Sequence, residues 1–264
     1  MSASVHTDVA TPDLRLAIAT EDALLRVEHA TVVFDGFKAL DIDSFAVRPN
    51  EVRVVIGPNG AGKTTLCDVI SGKTKLASGR CVFDGTDITK WKDFQIARRG
   101  VGRKFQTPSV FGSLTVREHL ELAAPASRGV GSVLRNRRPS GRDGEILAVA
   151  RAVGLEPLCD VAAAYLSHGQ RQLLEIGTLL IAQPKLLLID EPAAGLSDTE
   201  TAAMAKLLRR LAGNHTVIVI EHDMDFVRQL EADVTVLNEG RILAEGPMSA
   251  VQADPRVIEA YLGR

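Results

Sequence analysis

Residues 57–64 read Gly57-Pro58-Asn59-Gly60-Ala61-Gly62-Lys63-Thr64, after the apolar run VRVVI and before a helical pattern that extends to about Ser71. They fit the pattern G-x-x-x-x-G-K-[ST] at every fixed position. Glycines let successive backbone N–H groups face phosphate oxygens with no Cβ in the way, and the helix directs its positive end at the same anion. An ordinary glycine-rich turn is the alternative, but it would not need both a strand before it and a helix after it. The segment therefore predicts a phosphate-binding loop.

Polar side chains at the start of the predicted helix complete this loop. Lys63 would reach the outer phosphates of a nucleotide, and Thr64 would offer its hydroxyl group to Mg²⁺. Thr65, the next residue, is counted with the nucleotide-binding residues. A kinase or a GTPase could use the same loop, although the sequence has no guanine-reading N-K-x-D pattern.

A second acidic motif, LLLIDEP at residues 186–192, follows the same logic. The apolar strand would carry Asp190 to the phosphate edge of the sheet, where it can hold the Mg²⁺ shell. Glu191 follows at once and could orient and deprotonate a water molecule aimed at the γ-phosphate. Alone, such an acidic pair is more often a helix cap or a turn. Together with the phosphate loop, it predicts hydrolysis rather than transfer of phosphate to a second substrate.

The surrounding pattern alternates strands with helices and predicts an α/β fold with a mainly parallel sheet. Strands are predicted at LLRVEHATVVF, SFAVRP, VRVVIG, CVFDG, KLLLID and TVIVIEH, and a hairpin at DVTVLNEGRILAEG with its turn at Glu239-Gly240. Helices are predicted at TVREHLELAA, EILAVARAVGL, GQRQLLEIGTLLIA and TAAMAKLLRRLA.

Composition sets the remaining limits. The 264 residues are 45% hydrophobic and 24% charged, which suits one large domain or a domain with a subdomain. A net charge of −2 gives no indication of a nucleic-acid partner. The three cysteines have no metal-ligand spacing and are interpreted as small buried hydrophobes. No apolar run reaches the ~20 residues of a membrane span, the first residues do not resemble a secretory signal, and residues 1–23 are predicted to form a mobile tail.

The segment LSHGQ, residues 166–170, resembles the signature motif of ABC ATPases. Taken alone, Ser167 at a helix start is an N-cap. The resemblance implies that Ser167, His168, Gly169 and Gln170 face the γ-phosphate of an ATP molecule held by a second subunit. Two ATP molecules would then lie between two ATPase domains, neither site being complete alone.

Further elements of this family occur in order along the chain. Gln106 in VGRKFQTP matches the loop glutamine that senses Mg²⁺ and links the nucleotide to the membrane subunits. His222 in VIVIEHDM matches the switch histidine that keeps the γ-phosphate and the catalytic glutamate in register. Phe34 lies where the family stacks an aromatic ring on adenine; Phe37 is nearby, and a core role for either is the alternative.

The resemblance extends from about residue 24 to the end, and it is strongest for importer ATPases of the branched-chain amino-acid type. Within that group the chain looks like one of the two ATPases of urea importers, on stretches such as GRKFQTPSVFGSLTVREHLELA, LSHGQRQLLEIG and VQADPRVIEAYLGR. It implies a phosphate-loop ATPase core, an N-terminal antiparallel β subdomain and a helical subdomain at about residues 107–170. It also implies a second ATPase subunit, two permeases and an extracytoplasmic solute-binding protein, with this chain peripheral on the cytoplasmic face of the membrane.

Some positions depart from the family pattern. Residue 168 is His where most ABC proteins have glycine, and it could donate to phosphate or point to solvent. Ser197 stands where many have aspartate. The segment at residues 125–144 is predicted to be a solvated flexible insert or, alternatively, a contact with membrane subunits or anionic lipid; it carries Arg128, Arg135, Arg137, Arg138 and Arg142. A soluble ABC ATPase that acts outside transport remains the rival function.

Overall fold

A computed structural model describes residues 22–104, 110–125 and 142–262. The strands in these ranges are β1 (Leu25–Phe34), β2 (Phe37–Val47), β3 (Val52–Ile56), β4 (Ser78–Phe83), β5 (Thr86–Asp87), β6 (Val101–Lys104), β7 (Leu186–Asp190), β8 (Thr216–Ile220), β9 (Asp233–Asn238) and β10 (Arg241–Pro247). The α-helices are α1 (Lys63–Ile70), α2 (Asp93–Arg99), α3 (Val116–Ala123), α4 (Asp143–Ala152), α5 (His168–Leu180), α6 (Asp198–Leu211), α7 (Met224–Leu230), α8 (Met248–Ala253) and α9 (Pro255–Leu262).

The larger sheet has six strands in the order β10-β9-β3-β8-β7-β6. Four of its five pairings are parallel, and only β9 with β10 is antiparallel. The central strands are buried on both faces, which explains why β7 and β8 are continuous apolar runs. The predicted mainly parallel sheet is therefore confirmed, and so is the hairpin that turns at Glu239 and Gly240.

Alternating side chains of this sheet divide the core into two clusters. Val54 and Ile189 point to the face that packs against helices α3, α4 and α5, whereas Val55 and Leu188 point to the opposite face. The second face contacts the smaller sheet, in which β2, β1, β4 and β5 pair antiparallel. Burying such β-branched and leucine side chains contributes about 1.5–3 kcal/mol each before the entropy of ordering is counted. The predicted N-terminal antiparallel sheet is confirmed.

Helices α3, α4 and α5 pack on one another and against the first cluster. Helix α3 begins with a capping box in which Thr115 and Glu118 satisfy each other's backbone N–H groups. Helix α5 continues to Leu180, beyond the expected subdomain limit near residue 170. Most of the Arg-rich insert lies outside the described residues; Arg142 is described, and its guanidinium donates to the carbonyl of Pro125.

Several elements differ from the sequence prediction. The second strand is longer than SFAVRP, and β4 begins three residues before CVFDG. Helix α4 begins at Asp143, inside the segment that was predicted to be an insert, and ends at Ala152, before the predicted end of that helix. Elements without a sequence prediction are β5, α2, β6, α7, α8 and α9.

The three cysteines are buried in the core, as expected. Burial raises the pKa of both Cys67 and Cys81 to about 12, so neither thiol ionises readily. Within the described ranges, no helix is both long enough and apolar enough to cross a lipid bilayer.

Candidate nucleotide site

Parallel pairing brings the carboxyl ends of β3, β7 and β8 to one edge of the six-stranded sheet. Strand β8 lies between the other two, and Ile220 at its end pairs with Val55 of β3 and Asp190 of β7. The phosphate loop and Glu191 directly follow the ends of β3 and β7, and His222 follows the end of β8 after one residue. In open α/β sheets this edge is where ligands bind. The sheet topology therefore assembles the motifs that the sequence separates.

The phosphate loop, residues 57–62, packs so tightly that two of its positions admit only glycine. Gly57 has a φ of 155°, and a Cβ atom there would lie 2.2 Å from the carbonyl oxygen of Leu237. Gly62 has a φ of 100°, and its Cβ would lie 2.8 Å from the carbonyl oxygen of Ala39. The loop is also held by Gly240, whose N–H donates to the carbonyl of Ala61 at 3.0 Å. Strand β2 and the β9–β10 hairpin thus fix the shape of the loop.

Lys63 and the start of α1 make the loop suitable for an anion. The ammonium group of Lys63 donates to the carbonyls of Gly57 and Pro58 at 2.7 and 2.9 Å, which keeps it inside the loop. Gly62 caps α1 without a side-chain hydrogen bond, and the first turn has no acidic residue. The first N–H groups of the helix are therefore not occupied by a capping side chain and point toward the loop.

Asp190 ends β7 as a carboxylate that is only 5% exposed. Burial raises its pKa, the negative charge of Glu191 raises it further, and the cations Arg103, Lys104 and Lys63 oppose that rise. Burial lowers the pKa of Lys63, and Glu191 and Asp190 oppose this fall. The phosphate loop and the acidic motif thus interact electrostatically across the sheet edge.

Glu191 and His222 face each other beyond the strand ends. Glu191 has a left-handed backbone with a φ of 47°, and its N–H donates to the carbonyl of Ile220 at 3.0 Å. Its Oε1 atom lies 3.5 Å from Nδ1 of His222. Both side chains keep access to solvent, with 32% and 65% of their surfaces exposed. A carboxylate beside an imidazole at an accessible edge can orient a water molecule and accept its proton.

A buried glutamate that the sequence analysis missed supports this pair. Glu221 is 1% exposed, and its carboxylate accepts hydrogen bonds from the N–H groups of Ala193 at 3.1 Å, His222 at 3.0 Å and Asp223 at 3.3 Å. Burial raises its pKa, although the three N–H groups favour the ionised form. Glu221 therefore joins the loop after Glu191 to the backbone of His222. The available signal was a charged residue at the buried end of TVIVIEH.

The signature segment begins helix α5 with the predicted N-cap. The Ser167 hydroxyl accepts from the N–H of Gln170 at 3.2 Å, and the Gln170 amide oxygen accepts from the N–H of Ser167 at 2.9 Å. Gly169 allows close contact with α6, because a Cβ there would lie 2.5 Å from Oε1 of Glu200. The exposed imidazole of His168 lies 3.1 Å from the carbonyl oxygen of Ala194. This protein contact was neither of the alternatives expected for His168.

The other candidate residues have mixed outcomes. Phe34 and Phe37 pair across the β1–β2 hairpin and are 50% and 67% exposed, so the alternative of a core role is wrong for both. Gln106 lies outside the described residues, as do residues 1–21 of the expected N-terminal tail. Thr64 and Thr65 lie in the first turn of α1, next to the phosphate loop.

Comparison with known proteins identifies the family of this arrangement. The sequence model of the ABC transporter family matches residues 40–194. That of the branched-chain amino acid ATP-binding cassette transporter matches residues 241–264.

Individual relatives match over nearly their whole length. The high-affinity branched-chain amino acid transport ATP-binding protein BraF of Pseudomonas aeruginosa is 34% identical over 249 residues, covering 91% of this chain and 98% of the relative. LivG of Escherichia coli, described in the same words, is 35% identical over 251 residues, with coverages of 91% and 98%.

Solved structures agree with this assignment of the fold. A nucleotide-free ATP-binding cassette from an ABC transporter superposes with a TM-score of 0.79 at 32% identity, covering 92% of this chain and 100% of the other. An ATP-binding cassette in its ADP conformation gives a TM-score of 0.78 at 33% identity, with coverages of 92% and 99%.

Proposed function

This chain belongs to the ATP-binding subunits of ABC transporters, of the branched-chain amino acid (LivG/BraF) type, and is an ATPase of that family; from this premise we propose that Glu191 is its catalytic base. The carboxylate accepts a proton from water as the water oxygen bonds to the γ-phosphorus of ATP. The bond from that phosphorus to the β–γ bridging oxygen breaks, and ADP and phosphate leave. The observation that carries the proposal is the 3.5 Å separation of Glu191 and His222 beside the phosphate loop.

The remaining residues of the site bind and orient the nucleotide. The backbone of residues 57–62 and the first turn of α1, with Lys63, Thr64 and Thr65, surround the phosphates. His222 holds the γ-phosphate in register with Glu191, and Phe34, exposed at the end of β1, stacks on adenine. Gln106 takes the role of the loop glutamine that its motif indicates.

Mg²⁺ fits the oxygen donors at this edge. The Asp190 carboxylate is buried and its pKa is raised by burial, so a nearby cation would stabilise its ionised form. Thr64 adds a hydroxyl oxygen, and Gln106 is the third protein ligand that the family motif indicates. Within the described ranges, no group of three or more His, Cys, Asp or Glu side chains could hold a metal ion, so phosphate oxygens would supply further ligands. When bound, Mg²⁺ neutralises the charge that develops on the phosphates.

The signature segment acts on a second subunit in this proposal. Ser167, His168, Gly169 and Gln170 form the start of helix α5. Within the described part of the chain, its side-chain hydrogen bonds to residues outside α5 run to Ala194 and Glu200 rather than to the phosphate loop. A second ATPase subunit, which we propose to be a different chain, would therefore complete each site. Two permeases and an extracytoplasmic solute-binding protein complete the importer, and this subunit works peripherally on the cytoplasmic face of the membrane.

Two solutes are considered for the importer. Urea is favoured by the long stretches that resemble urea-importer ATPases, including LSHGQ with its histidine. Branched-chain amino acids are the second candidate, because the relatives BraF and LivG are named for their transport. Uptake of labelled urea and of labelled leucine by cells with and without this chain separates the two. Loss of urea uptake alone supports the first, and loss of leucine uptake alone replaces it with the second.

The catalytic proposal is tested by Glu191→Gln in the assembled complex. The amide keeps the size of the side chain but cannot accept the proton, so we expect steady-state ATPase activity to fall by at least about 10²-fold while ATP stays bound. Glu259→Gln, an exposed carboxylate on α9, is the control and should retain activity. Near-normal turnover of the Glu191→Gln complex would remove Glu191 from this role. Recovery of the chain with ribosomes or DNA, and no polytopic membrane protein, would favour the non-transport ATPase.

A further inference from the structure

Two sets of contacts join the signature helix to the segment that follows the catalytic glutamate. In the first, Nε2 of His168 lies 3.1 Å from the carbonyl oxygen of Ala194. In the second, the Ser167 hydroxyl donates to Oε1 of Glu200 at 3.3 Å, and Oε2 of Glu200 accepts from the hydroxyl of Ser197 at 2.8 Å. Both sets lie within one chain and link the start of α5 to residues 194–200. The side chain of His168 provides the first contact, which reaches the backbone of the loop itself.

The surroundings of His168 hold its ring in this position. A Cβ atom built on Gly195 would lie 3.4 Å from Nε2 and 3.5 Å from Cδ2 of the ring, so the imidazole packs against the backbone there. Gln172, one helical turn further along α5 and 3% exposed, lies 3.3 Å from the same Nε2 atom. Because a carbonyl only accepts, the contact with Ala194 needs the proton on Nε2. The Gln172 atom placed next to it is the amide nitrogen, which also donates, so the amide is assigned with its oxygen toward the ring.

The far end of this contact is connected to the hydrolytic carboxylate. The N–H of Ala194 donates to the carbonyl of Glu191 at 3.3 Å, which closes a turn, and the N–H of the intervening Ala193 is held by Glu221. The path from Glu191 to Ser167 therefore needs only this turn, the Ala194 carbonyl and the ring of His168. A glycine at position 168 would have no side chain to make the contact.

We infer that His168 is a positioning residue. It connects Ser167, which a subunit presents to the nucleotide of its partner, with the loop that follows the catalytic glutamate of the same subunit. The inference rests on the proposed function, since it assumes that Ser167 acts on the partner's ATP. A movement of the loop during hydrolysis at one site then shifts Ser167 at the other site. The histidine acts through a backbone carbonyl of its own chain and needs no contact with phosphate.

The first measurement uses the full chain alone, without nucleotide. Hydrogen exchange of the amides at residues 193–199 is compared for the native chain, His168→Ala, His168→Gln and the control Lys206→Ala, which changes an exposed residue of α6. Loss of one hydrogen bond to the loop should speed exchange there by roughly 2- to 5-fold in His168→Ala. His168→Gln keeps an N–H donor and should restore most of the protection. Unchanged exchange in His168→Ala overturns the inference.

The second measurement uses the assembled complex. We expect His168→Ala to lower kcat by roughly 2- to 5-fold with little change of KM for ATP, and His168→Gln to recover kcat. A donor to the partner's phosphate would instead raise KM, and that result overturns the inference, as does faster exchange with unchanged kcat. The exchange experiment involves no hydrolysis. It therefore still tests the contact between His168 and Ala194 if Glu191→Gln shows that the proposed catalytic role is wrong.

Discussion

The Nδ1 atom of His222 lies 3.5 Å from Oε1 of Glu191, although the two residues follow different strands. Their proximity comes from the parallel register of β7 and β8, which pairs Asp190 with Ile220. Glu191 follows the first strand directly, and His222 follows the second after one residue. The separation is therefore set by the sheet, which places the side chain at position 222 beside the carboxylate that we propose as the base.

Replacing His222 should disable hydrolysis without unfolding the protein. In His222→Asn the shorter amide no longer reaches Oε1 of Glu191, so we expect kcat to fall by about 10²-fold or more. The side chain is 65% exposed, so the unfolding temperature should change little. Steady-state ATPase assays on the assembled complex measure the first effect and thermal unfolding the second. His29→Asn is the matched control, because His29 is exposed and asparagine tolerates its φ of 48°. Equal activities of the two variants would contradict the assigned role.

The buried carboxylate of Glu221 should be needed for both stability and turnover. In Glu221→Gln one of the two acceptor oxygens becomes an NH₂ group that faces a backbone N–H of Ala193, His222 or Asp223. Leaving such a buried donor unsatisfied costs about 1–3 kcal/mol of unfolding free energy. Because Glu221 holds the loop after Glu191, kcat should fall as well. Denaturant unfolding and ATPase assays test this, with Glu259→Gln as the exposed control; a native-like midpoint would show that the carboxylate charge is not required.

Adding one methyl group should have opposite effects at two glycines. In Gly57→Ala the new Cβ would lie 2.2 Å from the Leu237 carbonyl, so the phosphate loop must shift, and we expect weaker ATP binding and a loss of about 2 kcal/mol or more of stability. Gly144 lies in the first turn of α4, where an added Cβ atom would have nothing within 4 Å, and alanine there should stabilise the protein by about 0.5–1 kcal/mol. Binding of a fluorescent ATP analogue and thermal unfolding test both. Tight ATP binding by Gly57→Ala would contradict the close packing.

The sequence allowed prediction of the strands whose ends form the site, because each is a continuous apolar run. The segment VGRK gave no strand prediction, although it forms the edge strand β6. Its charged side chains are buried through distant partners: Arg103 pairs with Asp68 of α1 at 2.6 Å, and Lys104 with Glu175 of α5 at 3.5 Å. A local pattern of hydrophobicity contains no information about such pairs, so no strand was predicted there.

The motif positions were likewise predictable, but their contacts within the chain were not. The pattern LSHGQ indicated a helix start at Ser167, since capping depends on residues close in sequence. The contact of His168 with Ala194 depends on how α5 packs against the loop before α6, which is a tertiary relationship. Glu221 was overlooked for the same reason, because its partner Ala193 lies in the turn that follows another strand.

The link between Glu200 and the two serines should make stability depend on pH in the acidic range. Hydrogen bonds from the N–H and hydroxyl of Ser197 lower the pKa of Glu200 below its ordinary value of 4.5, and the hydroxyl of Ser167 adds to this. A carboxyl group whose pKa is lowered by folding stabilises the native state above its unfolded-state pKa, and this contribution disappears as the pH falls through the lower folded-state value.

Comparison of the native chain with Glu200→Gln isolates this contribution. Above about pH 5 the difference between their unfolding temperatures should be constant, with the native chain more stable, and below pH 4.5 the difference should shrink as Glu200 is protonated. Glu259→Gln, exposed on α9, corrects for the general effect of removing a negative charge. Thermal unfolding followed from pH 7 to pH 3 gives the result directly. A difference that stays constant down to pH 3, or grows there, would mean that the ionised carboxylate does not bridge Ser197 and Ser167.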